Sequence, residues 1–310
     1  MKTSLIPKIS IIITCYNDGD FIEEAIESVR LSTISNWEII IVDDFSTDLN
    51  TQDKLRELKS KGYQVLQLAK NQGVGNARNK GIQNARGEYI LPLDADDRIL
   101  PTYLEKACSA LDKHLNAAVI YCNVKRFGDK DTIRIAPDFN FKTLLAGNYI
   151  ASCSVFRKIF WEKCGGYDVK IPNYEDWEFW ISVAEKGKQF IHLNEVLFEY
   201  RSRNGSKISK TKIAEHRANV VKYICNKHMH SYMDNINDIV PFLHSVIASN
   251  EELLNKQTDM IGDENIAKIF EKYRAVEEEL VSVKEYYENS FYIKIKKIVD
   301  KLKPNFFNHK

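Results

Sequence analysis

Apolar and polar positions along the chain fall into two textures that meet near residue 210. Before that point, short apolar runs alternate with stretches of helical spacing. Residues 9–14 form an apolar run that reads as a strand. Ile22, Ala25, Ile26 and Val29 then mark one stripe of a helix over 21–31, with Asp18 or Asp20 placed to cap it. Residues 37–42 read as a second strand ending at Asp43-Asp44, 51–60 as a helix and 63–68 as a third strand. A helix over 74–85 is closed by Gly87, and a fourth strand over 88–93 ends at Asp94-Ala95-Asp96-Asp97. A helix over 103–111 and a strand over 117–123 follow. This alternation predicts an α/β fold with a mostly parallel sheet covered on both faces. In such sheets ligands bind beyond the carboxyl ends of the strands. Three of those ends carry polar residues here: 14–17, 43–44 and 94–97.

Beyond Ser209 glycine nearly vanishes and charges dominate. Ile266, Phe270, Tyr273, Leu280, Val283 and Tyr287 recur at helical steps between Glu and Lys, as in a long amphipathic helix able to pair with a partner. Residues 291–303 combine five lysines with a dense apolar set, which suits either an anionic membrane surface or packing against protein. The expected division is therefore 1–209 and a helical extension over 210–310.

Composition narrows the class. Lys+Arg number 44 against 43 Asp+Glu, a net charge of +1, which argues against a nucleic-acid binder working through a global positive field. Apolar residues at 44% exclude disorder. The six cysteines show no C-x-x-C pairing and read as reduced thiols near the core. No run approaches the ~18 apolar residues of a membrane span. The apolar run at the N-terminus is too short for a secretion signal. The expected compartment is the cytoplasm, and Asn204-Gly205-Ser206 reads as a turn rather than a glycosylation acceptor.

Several motifs carry candidate chemistry. Asp94 and Asp96 at a strand end suit a hard divalent cation, Mg²⁺ or Mn²⁺, that bridges a diphosphate. The alternative is a solvated turn capping the next helix, a reading that the strand-end position disfavours. Tyr16 can stack on a base, and Asp43 or Asp44 can accept from an imide N–H or a ribose, although 43–48 also reads as a turn rich in capping residues. Residues 71–81 place glycines and Arg78 at a helix start, where an anion is favoured, but Arg78 stands in the third glycine position of a dinucleotide fingerprint. That disfavours a nicotinamide-dependent oxidoreductase. Arg78 can equally form a plain ion pair. Glu175 and Asp176 open a helix running to about Glu185, and either helix electrostatics or a general base accounts for them.

Taken in order, the motifs at 9–17 (ISIIITCYN), 40–48 (IIVDDFSTD), 71–81 (NQGVGNARNKG), 87–97 (GEYILPLDADD), 164–168 (CGGYD), 175–180 (EDWEFW) and 200–209 (YRSRNGSKIS) resemble the catalytic domain of glycosyltransferase family 2, the GT-A fold. The resemblance spans about residues 8–209. It implies a nucleotide-sugar half over about 1–97 and an acceptor half over about 98–209. It also implies inverting transfer of a sugar from a nucleotide donor, with uridine the commonest base, to a glycan or lipid-linked acceptor in surface polysaccharide assembly. Thr14, Tyr16, Asp44 and, more weakly, Asp43 would hold the nucleobase side. Arg78 would contact the donor, Asp94 the ribose or sugar, and Asp96 the cation. Gly165, Gly166, Glu175 and Trp177 would lie on the acceptor side, and Asp176 would be the catalytic base. Where the family often reads Tyr-Arg-x-His, this chain has Arg203, which cannot ligate a metal but can pair with a phosphate. A peripheral location on the inner membrane face through 291–303, and a homodimer through the C-terminal helices, are further expectations. Competing readings are a sugar nucleotidyltransferase and a non-catalytic scaffold. The first is disfavoured by Tyr16–Asp20 in place of a basic Gly-rich loop, the second by the intact Asp94/Asp96 and Glu175-Asp176 pairs.

Overall fold

The computed structural model describes residues 6–171, 173–203 and 210–258, with side chains left out for 210–215, 247 and 250–258. The basic segment at 291–303, the stripe from Ile266 to Tyr287 and the end of the 200–209 motif lie outside the described residues, as do the membrane and dimer expectations that rest on them.

The first strand, β1 (Ile9–Cys15), is buried along its whole length. That explains its unbroken apolar texture, because helices cover both faces of a parallel strand. It pairs in parallel with β2 (Trp37–Asp43) on one side and with β4 (Tyr89–Asp94) on the other, and β2 pairs with β3 (Gln64–Gln67). The connecting helices are α1 (Ile22–Arg30), α2 (Leu49–Ser60) and α3 (Val74–Asn84). Gly81 sets how closely α3 approaches the sheet: a β-carbon there would come 2.3 Å from Ile12 Cγ2. Asp48 caps α2 by accepting from Thr51 N at 2.8 Å. The cap expected for α1 is absent: neither Asp18 nor Asp20 bonds its first turn through a side chain, and the N-cap is Phe21, whose N–H reaches the Asp18 carbonyl. Both aspartates have other partners, Arg203 for Asp18 and Asn50 for Asp20.

The second half departs from the mostly parallel expectation. After β5 (Arg98–Ile99) and α4 (Tyr103–Lys113) come β6 (Ala117–Gly128), β7 (Thr132–Arg134), α5 (Phe141–Ala146), β8 (Val155–Arg157), α6 (Lys158–Cys164), α7 (Glu175–Ala184) and β9 (Gln189–Ser202). The strand order among the described residues is β3-β2-β1-β4-β8-β6-β9-β5, with β7 on β6. β8 runs antiparallel to both β4 and β6, so the sheet is mixed. The run predicted over 117–123 extends to Gly128 because its polar end, from Lys125 on, forms a hairpin with β7 and runs parallel to β9.

The chain separates into two compact units, 1–239 and 240–310. The division expected at 209 therefore falls inside the first unit. Helix α8 (Lys210–Lys227) and the start of α9 (Met229–Thr258) belong to it through polar contacts that composition does not disclose. Tyr223 and Lys227 both donate to Asp168, at 2.9 and 2.7 Å. Buried His228 meets Glu178 of α7 and Glu185, each at 2.9 Å. No helix among the described residues is long and apolar enough to cross a membrane.

Burial opposes the charge on His228, but its bonds to Glu178 and Glu185 outweigh it and raise the imidazole pKa above the ordinary 6.5. Its contribution to stability is thus complete below pH 6.5 and fades as pH rises through the raised value. His228→Gln should cost about 1–3 kcal/mol in urea unfolding at pH 6, and the gap from wild type should narrow by pH 9.

Candidate active site

The register brings the carboxyl ends of β1, β2 and β4 together. Thr14 lies opposite Asp94, and Cys15 lies opposite Asp43. β1 stands between β2 and β4, where the winding changes direction from one side of β1 to the other, the switch point where an open α/β sheet forms its crevice. The loops leaving β1 and β2 are tied to each other. Asn17 accepts from Thr47 N at 2.8 Å and Asp48 N at 3.0 Å, and its own N–H donates to Ser46 Oγ at 3.0 Å. Asn17, Phe45 and Asn173, on the loops after β1, after β2 and before α7, hold left-handed backbones with φ of 57°, 65° and 70°. Such conformations concentrate where a site over-determines its backbone.

On this rim Tyr16 is 44% exposed, with its ring open to solvent. Asp43 is buried and accepts from Ser46 N at 2.9 Å and Gln67 Nε2 at 3.0 Å. Asp44, also buried, grips the backbone N–H groups of Gln72 and Gly73 at 2.7 and 2.8 Å. Asp44 thereby positions the start of α3.

Helix α3 delivers Arg78 into the centre. The side chain is 3% exposed. Its Nη1 donates to Glu175 Oε1 at 2.5 Å, and its Nη2 donates to Asp94 at 3.0 Å. Asp94 also accepts from Thr14 Oγ1 at 2.8 Å. Burial opposes the guanidinium charge, yet Asp94 and Glu175 hold it protonated. The anion expected at Arg78 is therefore supplied by two carboxylates of the protein itself. Among the described residues Arg78 Nε, Glu175 Oε2 and Tyr167 Oη are buried without a hydrogen-bond partner.

Next along β4's exit turn, Asp96 accepts from Arg203 Nη2 at 2.6 Å, while Arg203 Nη1 donates to Asp18 at 2.7 Å. Asp97 is buried and accepts from Arg201 N at 2.8 Å, which fastens the end of β9 to this turn. Burial and then the neighbouring carboxylates push the Asp96 and Asp97 carboxyls above the usual range. The turn is thus short of positive charge despite Arg201 and Arg203. No group of three or more His, Cys, Asp or Glu poised for a metal ion exists among the described residues. Asp96 retains an oxygen outside its Arg203 contact. One such carboxylate with substrate phosphates is a donor set that Mg²⁺ accepts, so the residues fit a cation held jointly with a diphosphate.

Asp176 opens α7 beside Glu175. It is half-buried and accepts from Asn148 Nδ2 at 2.9 Å and from the N–H of Trp177 at 2.8 Å. Burial and then the Glu175 charge raise its carboxyl to about 6. Trp177 faces inward: it is 4% exposed and donates to the Leu144 carbonyl at 2.6 Å. Gly165 and Gly166 both have positive φ, and a β-carbon on Gly166 would crowd Asn79 Oδ1 at 2.8 Å. Asn79 of α3 binds this loop, accepting from Trp161 Nε1 and Tyr167 N, each at 2.8 Å.

Thr14, Asp94, Arg78 and Glu175 thus form one connected chain of contacts, with Asp176 beside it and Asp96, Arg203 and Asp18 in a second group. Tyr16, Asp43 and Asp44 line the β1–β2 rim. Sequence reasoning missed Asn148, Asn79 and the pairing of Asp18 with Arg203. Each is a single polar residue in a loop or helix whose role exists only through a partner dozens of positions away.

The family model described as Glycosyl transferase family 2 matches residues 10–165. An Escherichia coli protein named UDP-Glc:alpha-D-GlcNAc-diphosphoundecaprenol beta-1,3-glucosyltransferase WfaP is 30% identical over 72% of this chain and 88% of its own length. A Pasteurella multocida hyaluronan synthase is 28% identical over 69% of this chain. The chain spans 22% of that synthase's length, and 23% and 20% of two other relatives that it matches. Among solved structures, S. aureus TarS 1-349 in complex with UDP-GlcNAc aligns with a TM-score of 0.58 at 22% identity, covering 71% of this chain and 67% of that one. The shared fold is GT-A.

Removing the central cation should leave two carboxylates facing each other without compensation. Arg78→Met should destabilise the protein by roughly 3–5 kcal/mol in chemical denaturation. Adding Glu175→Gln to that variant should recover part of the loss, which a double-mutant cycle reads directly.

Proposed function

The chain belongs to glycosyl transferase family 2, and on that premise we propose that it is an inverting glycosyltransferase moving a sugar from a nucleoside diphosphate, UDP first among them, to a hydroxyl of a glycan or lipid-linked acceptor. Assembly of a surface polysaccharide, on the cytoplasmic side of a membrane, is the setting proposed for it. Two similar proteins support the donor: WfaP is named for UDP-Glc, and TarS was crystallised with UDP-GlcNAc.

The observation that carries the reading is Asp176. Its carboxyl titrates near pH 6 and is half-buried beside Glu175 at the mouth of the sheet. A general base works best when its pKa lies near the working pH. At neutral pH Asp176 is mostly ionised, and Asn148 holds one of its oxygens in place. It would take the proton of the acceptor hydroxyl as that oxygen attacks the anomeric carbon from the face opposite the diphosphate. A single displacement of this kind inverts the configuration. Glu175, locked by Arg78, orients the start of α7 and keeps a negative charge beside the base.

Tyr16, exposed on the β1 loop, would stack on the nucleobase. Thr14, Asp43 and Asp44 would shape that pocket, Asp44 through its grip on the Gln72 and Gly73 N–H groups. Asp94, both of whose oxygens accept from Arg78, would bind the ribose or sugar through their remaining lone pairs. Arg203, poised on Asp96 and Asp18, would swing toward the diphosphate and carry part of its charge. Asp96 is the residue assigned to a divalent cation, Mn²⁺ or Mg²⁺, which when bound would stabilise charge on the leaving diphosphate. The loop of Gly165 and Gly166 would border the acceptor. Trp177, being buried, would act there by supporting α7 against Leu144.

Asp176→Asn should lower kcat by about 10²–10⁴-fold with UDP affinity unchanged, as read by transfer assays and calorimetry. Protonation removes the base, so wild-type kcat/KM should fall tenfold per pH unit below about 6 and level off above it. Normal transfer by Asp176→Asn would sink the assignment. For the cation, UDP should bind more weakly in EDTA than in Mn²⁺, and Asp96→Ala should erase the difference; equal affinity in both would remove the metal from the scheme.

A further inference from the structure

The hairpin of β6 and β7 carries two arginines that the mechanism leaves unused. Arg134 stands opposite Val124, and Arg126 opposite Thr132. Paired residues of an antiparallel ladder share a face, so both guanidiniums rise from the same side as diagonal neighbours, about 7–8 Å apart at the backbone. Both are exposed.

Their lack of a direct ion pair contrasts with the opposite face of the same strands. There Lys125 and Arg98 both pair with Glu199, and Arg98 and Arg201 both reach Glu24. Neither the Arg126 nor the Arg134 side chain makes an ion pair or hydrogen bond among the described residues. Two like charges held as diagonal neighbours with no carboxylate in ion-pair contact repel each other, an arrangement that an anion relieves.

The location points to the substrate cleft. Arg126 lies opposite Tyr200 in the β6–β9 ladder, and the next residue of β9, Arg201, is bonded to Asp97 and to the Asp96 carbonyl, each at 2.8 Å. Arg126 therefore stands one strand away from the turn that carries the acidic pair. Partial loss of water and then Arg126 lower the Arg134 pKa, and the Asp176 carboxylate is the group that favours its charge. The arginine pair thus borders the side of the cleft where the base stands.

We propose that Arg126 and Arg134 form an anion subsite for a phosphate group carried by the acceptor, a proposal that rests on the transferase reading above. Phosphate is favoured over carboxylate by number. One guanidinium fork fills a carboxylate, whereas a phosphate with three charged oxygens takes two forks. The subsite sets which acceptors are held with their hydroxyl toward Asp176, and it takes no part in the chemical step.

Titration calorimetry on the full chain saturated with UDP tests this, with inorganic phosphate and octyl phosphate as probes. Wild type should bind at least one probe, with an affinity that falls as salt rises. Arg126→Gln/Arg134→Gln should lose roughly tenfold or more of that affinity, and the double lysine variant should keep part of it. UDP affinity should be the same in all of them. Tighter binding of octyl phosphate would name a lipid-borne phosphate as the source, and equal binding a phosphate without a lipid. Three results would overturn the proposal: no binding of either probe to wild type, binding that survives the glutamine substitutions, or a loss of UDP affinity in them, which would assign the arginines to the donor. Failure of wild type to bind UDP would instead sink the transferase reading, and the phosphate isotherms, repeated without UDP, would still be read for the arginines.

Discussion

Arg78 carries a full positive charge to a buried position where the carboxyl edge of the sheet meets the first turn of α7, and two carboxylates from distant parts of the chain close around it. Asp94 comes from the end of β4, and Glu175 from the first turn of α7, next to Asp176. Neither can move far without stranding a charge out of water, a penalty far larger than that of any surface pair in this molecule. The interaction fixes the distance between the two halves of the site. Burial raises the neighbouring Asp176 carboxyl to about 6, with the Glu175 charge adding to the shift and Arg78 opposing it.

A second group of charges is more open. Arg203 rests on Asp96 and Asp18 with its side chain 46% exposed, so those contacts are cheap to break. The buried and exposed guanidiniums divide the work of the site: Arg78 is architecture, and Arg203 is available to a ligand. A residue type that looks equivalent in sequence is thus set to different tasks by burial alone. Arg126 and Arg134, exposed and without ion pairs, follow the same logic on the β6–β7 hairpin.

The alternation of β and α elements in the first hundred residues was legible because β1 and β4 are buried on both faces and α1 presents a clear stripe. The acidic ends of β2 and β4 were legible as a site because a parallel sheet gathers its strand ends on one rim. The later sheet was harder to read. β8 is three residues long and reverses direction between β4 and β6, and no periodicity distinguishes so short a strand. The cap assigned to Asp18 or Asp20 failed because Asp18 has a stronger partner 185 residues away in Arg203.

Local spacing by itself determined most elements of the first 125 residues, the polar strand ends and the Glu175-Asp176 pair, since these depend on neighbours within a few residues. Only the tertiary structure decided that Arg78 faces carboxylates rather than an open anion site, that Trp177 is buried, and that α8 belongs to the first unit through Asp168, Glu178 and His228. The reason is physical: a charge's role follows from what surrounds it and how much water remains, and the pleats and crossovers of the folded sheet set both.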